Sequence, residues 1–464
     1  MTYKLPQHIN PNRVFILQKS ELEKRLDPFY YADRINIKDA VKLSSLVEIK
    51  GGKRLPKGYY YSDETTDFRY LRVDNIKNFG QINWHETKFI SQEIYEILKR
   101  YKIEKDDVII SIAGTVGKIA CIDKNIENVI LTENCAKLQI KDKTKILPKY
   151  LEILLGLPTS IKQIQLGFIQ TTIPKLGLDK IEQIKLPSIP PIKKQLEIIA
   201  GVEKALEQKH RNEITAEKLL SSIDDYLLNE LGITMPAENE TNEPGGYQGF
   251  ELNSQNPLVK KGRLFLTEFS EVGGGRFDPV NSLYLGKKSK STIYENILLS
   301  EIAVVGKGQS ITSKEIVEGE YPVIAGGQSS PYSHDKHNNE ANVITISASG
   351  AYAGFVWYHD YPVFASDCSV IRSKNESVFS TKYIFEVLKA KQKEIYLLQQ
   401  GAGQPHVYPA DLAKIFIPVV SANIQDKIIC HINSLRQQAQ LLQKEAIQTL
   451  QQAKEKIEKM ILFS

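Results

Sequence analysis

The sequence predicts an α+β protein made of two tandem β-rich domains, each followed by a long helix, the two helices forming an antiparallel coiled coil. Three observations predict it. The chain contains a half-length internal repeat, each half ends at a proline-marked stop, and a long proline-free amphipathic segment follows each stop.

The repeat is read from short collinear matches. RLDPFYY (Arg25–Tyr31) matches RFDPVNS (Arg276–Ser282), VKLSSL matches ILLSEI, and DVIISIAGTVGKIACID matches NVITISASGAYAGFVWYH. TENCAKLQIK matches ASDCSVIRSK, which sets Cys135 against Cys368. PKYLEILL matches TKYIFEVL. The run KIEQIKLPSIPPIKKQLEII matches AKIFIPVVSANIQDKIICHI, setting Pro187 against Pro418 and Gln195 against Gln425. Each match is weak alone, but their order is kept while the offset drifts only from 251 to 230 residues. Duplication of a scaffold with loops of unequal length produces that pattern.

The first domain, residues 1–187, mixes short β-type runs such as VIISIAG and NVILT with glycine-punctuated turns. The LPSIPP stop opens a helix over 188–233, in which Ile199, Val202, Leu206, Ala216, Leu220, Ile223 and Leu227 form an apolar stripe. Polar Lys209 and Glu213 hold its two middle positions. Gly232 suits a left-handed C-cap. Residues 234–257 are rich in Pro, Gly, Asn and Glu and form a linker. The second domain, 258–418, has the β-type runs VITISAS, FVWYH and YPVFA. Its helix, 419–464, carries Ile428, Ile432, Leu435, Ala439, Leu442, Ala446 and Leu450, continued by Ala453, Ile457 and Met460. A 3.5-residue period is a coiled-coil seam. About 40 residues at 1.5 Å give a rod of ~60 Å, too long to lie on one such domain. The plainer alternative is that each helix packs only on its own domain.

Length, composition and charge set limits. At 464 residues, 42% hydrophobic and 25% charged, the chain is globular in composition. The net charge of +5 is unevenly spread. Residues 1–192 hold 31 basic and 23 acidic side chains, whereas 257–421 hold 17 and 16. The first half is basic and the second is close to neutral. Four cysteines without a CxxC pattern suit buried thiols in a reducing cytoplasm. No secretory pattern opens the chain and no apolar run approaches ~18 residues, so a cytoplasmic protein without membrane association is expected.

The motifs of catalysis are missing. GTVGK is too short for a phosphate-wrapping loop, HExxH is absent, and the eight histidines form no ligand pair at helical spacing. SIPPI lacks the polar amide of an amino-methyltransferase motif. A non-enzyme without bound cofactor or metal is the expectation.

The loops offer recognition chemistry instead. In half one, Lys53, Arg54, Lys57, Arg69, Arg72 and Asn75 lie among glycines and aromatics, with Thr115 and Lys118 in the GTVGK turn and Gln170 and Thr171 further on. In half two, Lys307, Gln309, Gln328, Ser329 and Tyr332 are joined by Ser349, Tyr352, Gln404 and His406. Arg and Lys pair with phosphates and guanine edges, while Asn and Gln hold adenine bidentately. Solvated loop surface is the alternative for any single residue; as a set they suggest a nucleic-acid reader.

The order VIISIAGTVGKIA, KYLEILL, LDKIEQIKLPSIPPIKKQLEII and then a long helix resembles the specificity (S) subunit of type I restriction-modification enzymes, and both halves follow it. Half two also keeps GAGQPHVYPADLAKIFIP, similar to the family's Gly-Gln-rich turn. It departs at SGAYAGFV and PVVSANIQ, so the resemblance does not extend the role of Lys118 to that half. The resemblance implies two target-recognition domains, each reading half of an asymmetric bipartite site on double-stranded DNA. It implies that the helices act as a spacer docking two methyltransferase (M) subunits, with restriction/translocase (R) subunits joining for cleavage. S-adenosylmethionine, ATP and Mg would belong to those partners. Two rivals stay open: a coiled-coil adaptor that never touches DNA, and a divergent fused DNA methyltransferase or nuclease.

Overall fold

The computed structural model describes residues 39–77, 80–167, 174–235, 289–401 and 403–462, with Val14, Ile16, Lys19, Tyr31 and Ile37. The RLDPFYY/RFDPVNS match, except Tyr31, and most of the expected linker lie outside the described residues, as do Gln170 and Thr171. The chain divides into two compact units, Met1–Asn212 with Lys444–Ser464, and Glu213–Gln443.

The first unit runs β1 (Val41–Lys42), α1 (Leu43–Leu46), β2 (Val47–Gly51), β3 (Arg69–Leu71), β4 (Lys88–Phe89), α2 (Gln92–Leu98), β5 (Val108–Ser111), β6 (Ile119–Cys121), β7 (Val129–Leu131) and β8 (Cys135–Ile140). It continues with α3 (Pro148–Leu155), α4 (Pro158–Gly167), α5 (Leu178–Glu182), β9 (Lys185–Leu186) and the long helix α6 (Ile192–Glu230). Its strands make three sheets. One is an antiparallel sheet of order β2-β8-β5-β6, one has order β4-β3-β7 with β3 and β7 parallel, and one is the pair β1-β9.

The second unit repeats this with β10 (Asn296–Leu298), α7 (Leu299–Ile302), β11 (Ala303–Lys307), β12 (Tyr321–Ile324), β13 (Ser333–His334), β14 (Val343–Ser347), β15 (Val356–His359), β16 (Phe364–Ala365) and β17 (Cys368–Ser373). Then come α8 (Thr381–Ala390), α9 (Gln392–Tyr396), α10 (Pro409–Leu412), β18 (Phe416–Pro418) and the long helix α11 (Ala422–Leu462). The sheet orders are β11-β17-β14-β15, β13-β12-β16 and β10-β18, with β12 and β16 parallel. Strand for strand, the neighbours and directions are those of the first unit.

Sequence explains the central strands. VIIS of β5 is buried throughout. Side chains alternate between faces, so Val108 and Ile110 enter a core with α3, Leu176 and Val202 while Ile109 enters another with Leu71 and Leu131. Covered on both sides, the strand needs a continuous apolar run. β14 repeats the arrangement, with Ile344 and Ile346 on one side and Val343 on the other.

Each long helix contributes to both units. In the first, Ile198, Ile199 and Val202 of α6 share a core with Ile457 of α11. In the second, Ile223 and Leu227 share a core with Ile428 and Ile432. The alternative in which each helix serves only its own domain is therefore not what is seen. The stripe on α11 is buried or half-buried as expected, except that Met460 is exposed and Ile461 packs inward. On α6 the buried register differs from the expected one by a residue in places. Ala205, Asn212 and Leu219 turn inward, while Glu213 and Leu220 are exposed. Two interleaved sets share Val202, Ala216 and Ile223, and apolar content alone favours the leucines. Asn212 is 6% exposed, accepts from Gln208 at 2.7 Å and donates to Glu445 at 3.5 Å.

Among the described residues no helix is long and apolar enough to cross a membrane. Cys121, Cys135 and Cys368 are buried free thiols, but Cys430, on the outer face of α11, is exposed.

Candidate nucleic-acid interface

The loops at one end of each sheet system meet, and backbone bonds show how. In the first unit Gly52 N–H donates to Cys135 O and Lys53 N–H to Leu131 O, both at 2.9 Å. In the second, Gly308 N–H donates to Cys368 O at 2.8 Å and Gln309 N–H to Ala365 O at 2.9 Å. Lys53 and Gln309 therefore hold equivalent places, as do Cys135 and Cys368. A Cβ on Gly52 would lie 2.0 Å from Thr132 O, and one on Gly308 2.2 Å from Ser366 O. Only glycine permits that approach.

The next wall is the turn after β5 or β14. Ser111 N–H donates to Lys118 O, and Ser347 N–H to Phe355 O. Gly114 and Gly117 have φ of 74° and 88°, Gly350 and Gly354 have 85° and 95°, so both turns use the left-handed region glycine favours. The second turn is one residue longer, and Phe355 stands where Lys118 stands in the first. The third wall pairs with these turns: Ala113 bridges to Lys175, and Ser349 to His406. The fourth precedes the matched cysteine. Asn134 O accepts from Ile112 N–H at 2.7 Å and Asp367 O from Ala348 N–H at 3.1 Å.

In the first unit the glycine turn and the segment before Cys135 border a cleft of about 220 Å³ lined by Arg72, Val73, Asp74, Ala113, Gly114, Thr115, Thr132 and Asn134. Of the expected site residues, Arg72 and Thr115 meet here. Arg72 is paired with Asp74 at 2.7 Å and stays partly exposed. Lys118 sits behind the turn, its Nζ 3.4 Å from Val73 O. Lys53, Arg54 and Lys57 lie on the exposed loop after Gly52. Arg54 binds Glu133 at 2.7 Å, and this hydrogen bond raises the guanidinium further above its ordinary value. Burial alone would raise the Glu133 carboxyl, but hydrogen bonds from Arg54 and Thr132 outweigh it and hold the group below its usual range.

Two expected contacts are committed internally. Arg69 donates to Trp84 O at 2.9 Å and lies over Phe89, bracing β3 against the β4 hairpin. Asn75 is 2% exposed and accepts from Arg72 N–H at 2.8 Å, closing its own turn.

In the second unit Ser347 Oγ donates to Gly327 O at 3.0 Å and anchors the loop bearing exposed Gln328 and Ser329. Gly350 N–H donates to Pro405 O at 3.0 Å, bringing the Gln404–His406 segment against the glycine turn. Ser349 Oγ donates to Asp367, and His406 stacks on Tyr408. Tyr332 and Tyr352 are exposed, as are Lys307 and Gln309 beside Gly308. The Arg72–Asp74 ion pair of the first unit has glycine-rich Ala325–Gly327 in its place, so both the cation and its acid are missing from the second unit's loops.

Asn134, Lys175 and Asp367 were absent from the sequence-derived set. Their signal was available: TENC against ASDC aligns Asn134 with Asp367, and IPKL against QPHV aligns Lys175 with His406. Among the described residues no group of three or more His, Cys, Asp and Glu is placed to hold a metal ion.

The family model for the type I restriction modification DNA specificity domain matches residues 38–218 and again 293–452. The EcoBI type I restriction enzyme specificity subunit of Escherichia coli is 29% identical over 133 residues, covering 29% of this chain and 27% of that protein. A type I specificity subunit of Mycoplasma pneumoniae is 26% identical over 141 residues, covering 29% of this chain and 45% of the relative. The chain thus aligns with less than half the length of either curated relative. A chain in a solved structure concerned with complex assembly and conformational transition of the type I R-M system shares the fold. Its TM-score is 0.52 at 16% identity, over 92% of this chain and 98% of the other. With both halves matched across most of its length, the chain belongs to the type I restriction-modification specificity subunit family.

Proposed function

We propose that this chain is the DNA-reading subunit of a type I restriction-modification complex and performs no catalysis itself. Each domain reads one half of an asymmetric bipartite target in the major groove of double-stranded DNA. Helices α6 and α11 form an antiparallel coiled coil that sets the separation of the half-sites and docks two M subunits, which R subunits join. S-adenosylmethionine, ATP and Mg belong to those partners. The observation that carries this reading is one loop frame built twice on the same backbone bonds with different side chains. A repeated frame gives a common approach to the duplex, and different side chains give different half-sites. The antiparallel pairing is supported by α11 meeting the start of α6 in one unit and its end in the other.

Helices of ~60 Å bound the half-site separation at about 17 base pairs of 3.4 Å each, before any tilt. Sequencing of duplexes selected from a randomised library by the full chain tests the proposal. Two short preferred blocks with an indifferent gap are expected. Inserting one heptad in both helices lengthens the gap and leaves each block unchanged; an unaltered gap refutes the spacer. Binding without any sequence preference refutes the reader.

A further inference from the structure

Resting on that reading, we infer that Asn134 and Asp367 are equivalent base-edge readers, one in each domain. Asn134 takes an adenine, and Asp367 takes the exocyclic amine of a cytosine.

The equivalence is structural. Ser111 pairs with Cys135 and Ser347 with Cys368. Asn134 and Asp367 each directly precede that cysteine and each hold the glycine turn through the same backbone carbonyl. Both side chains are therefore carried by a rigid frame, not by a free loop. Asn134 lines the first cleft half-exposed, and among the described residues its carboxamide has no hydrogen-bond partner. Asp367 is exposed at the corresponding place, aligned by Ser349 Oγ and close beside Gly326, where a Cβ would come within 3.3 Å of its Oδ2.

Charge then narrows what they meet. A carboxylate in a cleft that grips a polyanion is repelled by phosphate, so Asp367 is useful only against a base amine. Cytosine offers its N4 amine with no adjacent acceptor. Adenine sets N7 beside its amine, and that lone pair would face the second carboxylate oxygen. Guanine and thymine present carbonyl oxygens to the same place. The carboxamide of Asn134 has the opposite fit, since Oδ1 accepts from adenine N6 while Nδ2 donates to N7. One equivalent position thus carries two different letters, chosen by exchanging an amide for an acid.

The test compares the full chain with Asp367→Asn and Asn134→Asp in duplex-library selection, each variant checked by thermal melting. Asp367→Asn should move one position of one block from cytosine to adenine by about 5- to 150-fold, the discrimination of one bidentate pair, and leave the other block alone. Asn134→Asp should do the reverse in the other block. Variants that melt normally yet retain the original preferences overturn the assignment, as does weaker binding spread evenly over all sequences. Should Asp367→Asn fail to fold, Asn134→Asp still decides, because among the described residues its side chain has no hydrogen-bond partner. A parent chain that enriches no sequence defeats the DNA-reading proposal itself, whereas enrichment that both variants keep defeats this inference alone.

Discussion

Gln195 and Gln425 offer a sharp test of how each domain is held on its long helix. Gln195 is 0% exposed; its Oε1 accepts from Leu147 N–H at 2.9 Å and its Nε2 donates to Lys145 O and Pro190 O at 2.7 and 2.8 Å. Gln425, 2% exposed, accepts from Ser380 N–H at 2.9 Å and donates to Val378 O and Val420 O at 2.7 and 3.1 Å. One amide thus satisfies three backbone groups at the junction of the helix, the proline stop and the start of α3 or α8. Replacing it with Leu removes three bonds of about 1 kcal/mol each and keeps water from the orphaned groups, for a cost of about 3–5 kcal/mol. Replacing it with Ala leaves room for a bridging water and costs about 2–3 kcal/mol. If packing volume governed the site, the order would reverse, because Ala leaves the larger cavity. The chain has only two tryptophans, Trp84 in the first unit and Trp357 in the second, so each unit reports separately once the other tryptophan is changed to Phe. Urea unfolding should shift by roughly 1 M or more for Gln195→Leu read at Trp84, and similarly for Gln425→Leu read at Trp357. A smaller loss for Leu than for Ala would refute the hydrogen-bonding account.

His359 sits 1% exposed, with Nε2 bonded to Thr345 and Nδ1 without a partner among the described residues; burial lowers its pKa to about 4. The unfolded chain binds a proton near 6.5 and the folded one does not, so stability is present above that pH and is lost as pH falls toward 4. The loss is about 3 kcal/mol, and unfolding read at Trp357 should show it in the parent and not in His359→Phe. Arg436 grips Glu386 at 2.6 and 2.7 Å, with Lys382 3.6 Å away. Arg436→Ala should cost about 3 kcal/mol by stranding the acid, and the pair Arg436→Met with Glu386→Leu should recover most of it in a double-mutant cycle. Gly308→Ala drives a methyl into Ser366 O and should lower stability by about 3 kcal/mol in calorimetry. Lys175→Ala should weaken DNA binding evenly across sequences and reduce the salt slope by about one, measured by fluorescence anisotropy at several salt concentrations.

Much of the fold was legible because duplication leaves traces at constrained positions. Cys135 and Cys368, Gln195 and Gln425, and the VIIS and VITIS strands were aligned from sequence, and each pair occupies equivalent places. Buried positions resist change, so similarity survives there. The helix register was less legible, since adjacent apolar sets compete and small Ala205 carries little signal. The cleft was the least legible part. Arg69 and Asn75 look like ligand groups in sequence but satisfy Trp84 O and Arg72 N–H. Asn134 and Asp367 are single polar letters that a composition search passes over.

By itself, then, the sequence determined that one β-rich scaffold occurs twice, that a long amphipathic helix follows each copy, and that positive charge gathers in the first half. Periodicity, proline stops and repeat order are local or one-dimensional, so they can be read without coordinates. Only the tertiary structure decided which polar side chains face the cleft and which brace it. That choice rests on non-local pairing: the registers of β8 on β5 and β17 on β14 bring Asn134 to Gly114 and Asp367 to Ser349. No spacing along the chain encodes such a meeting.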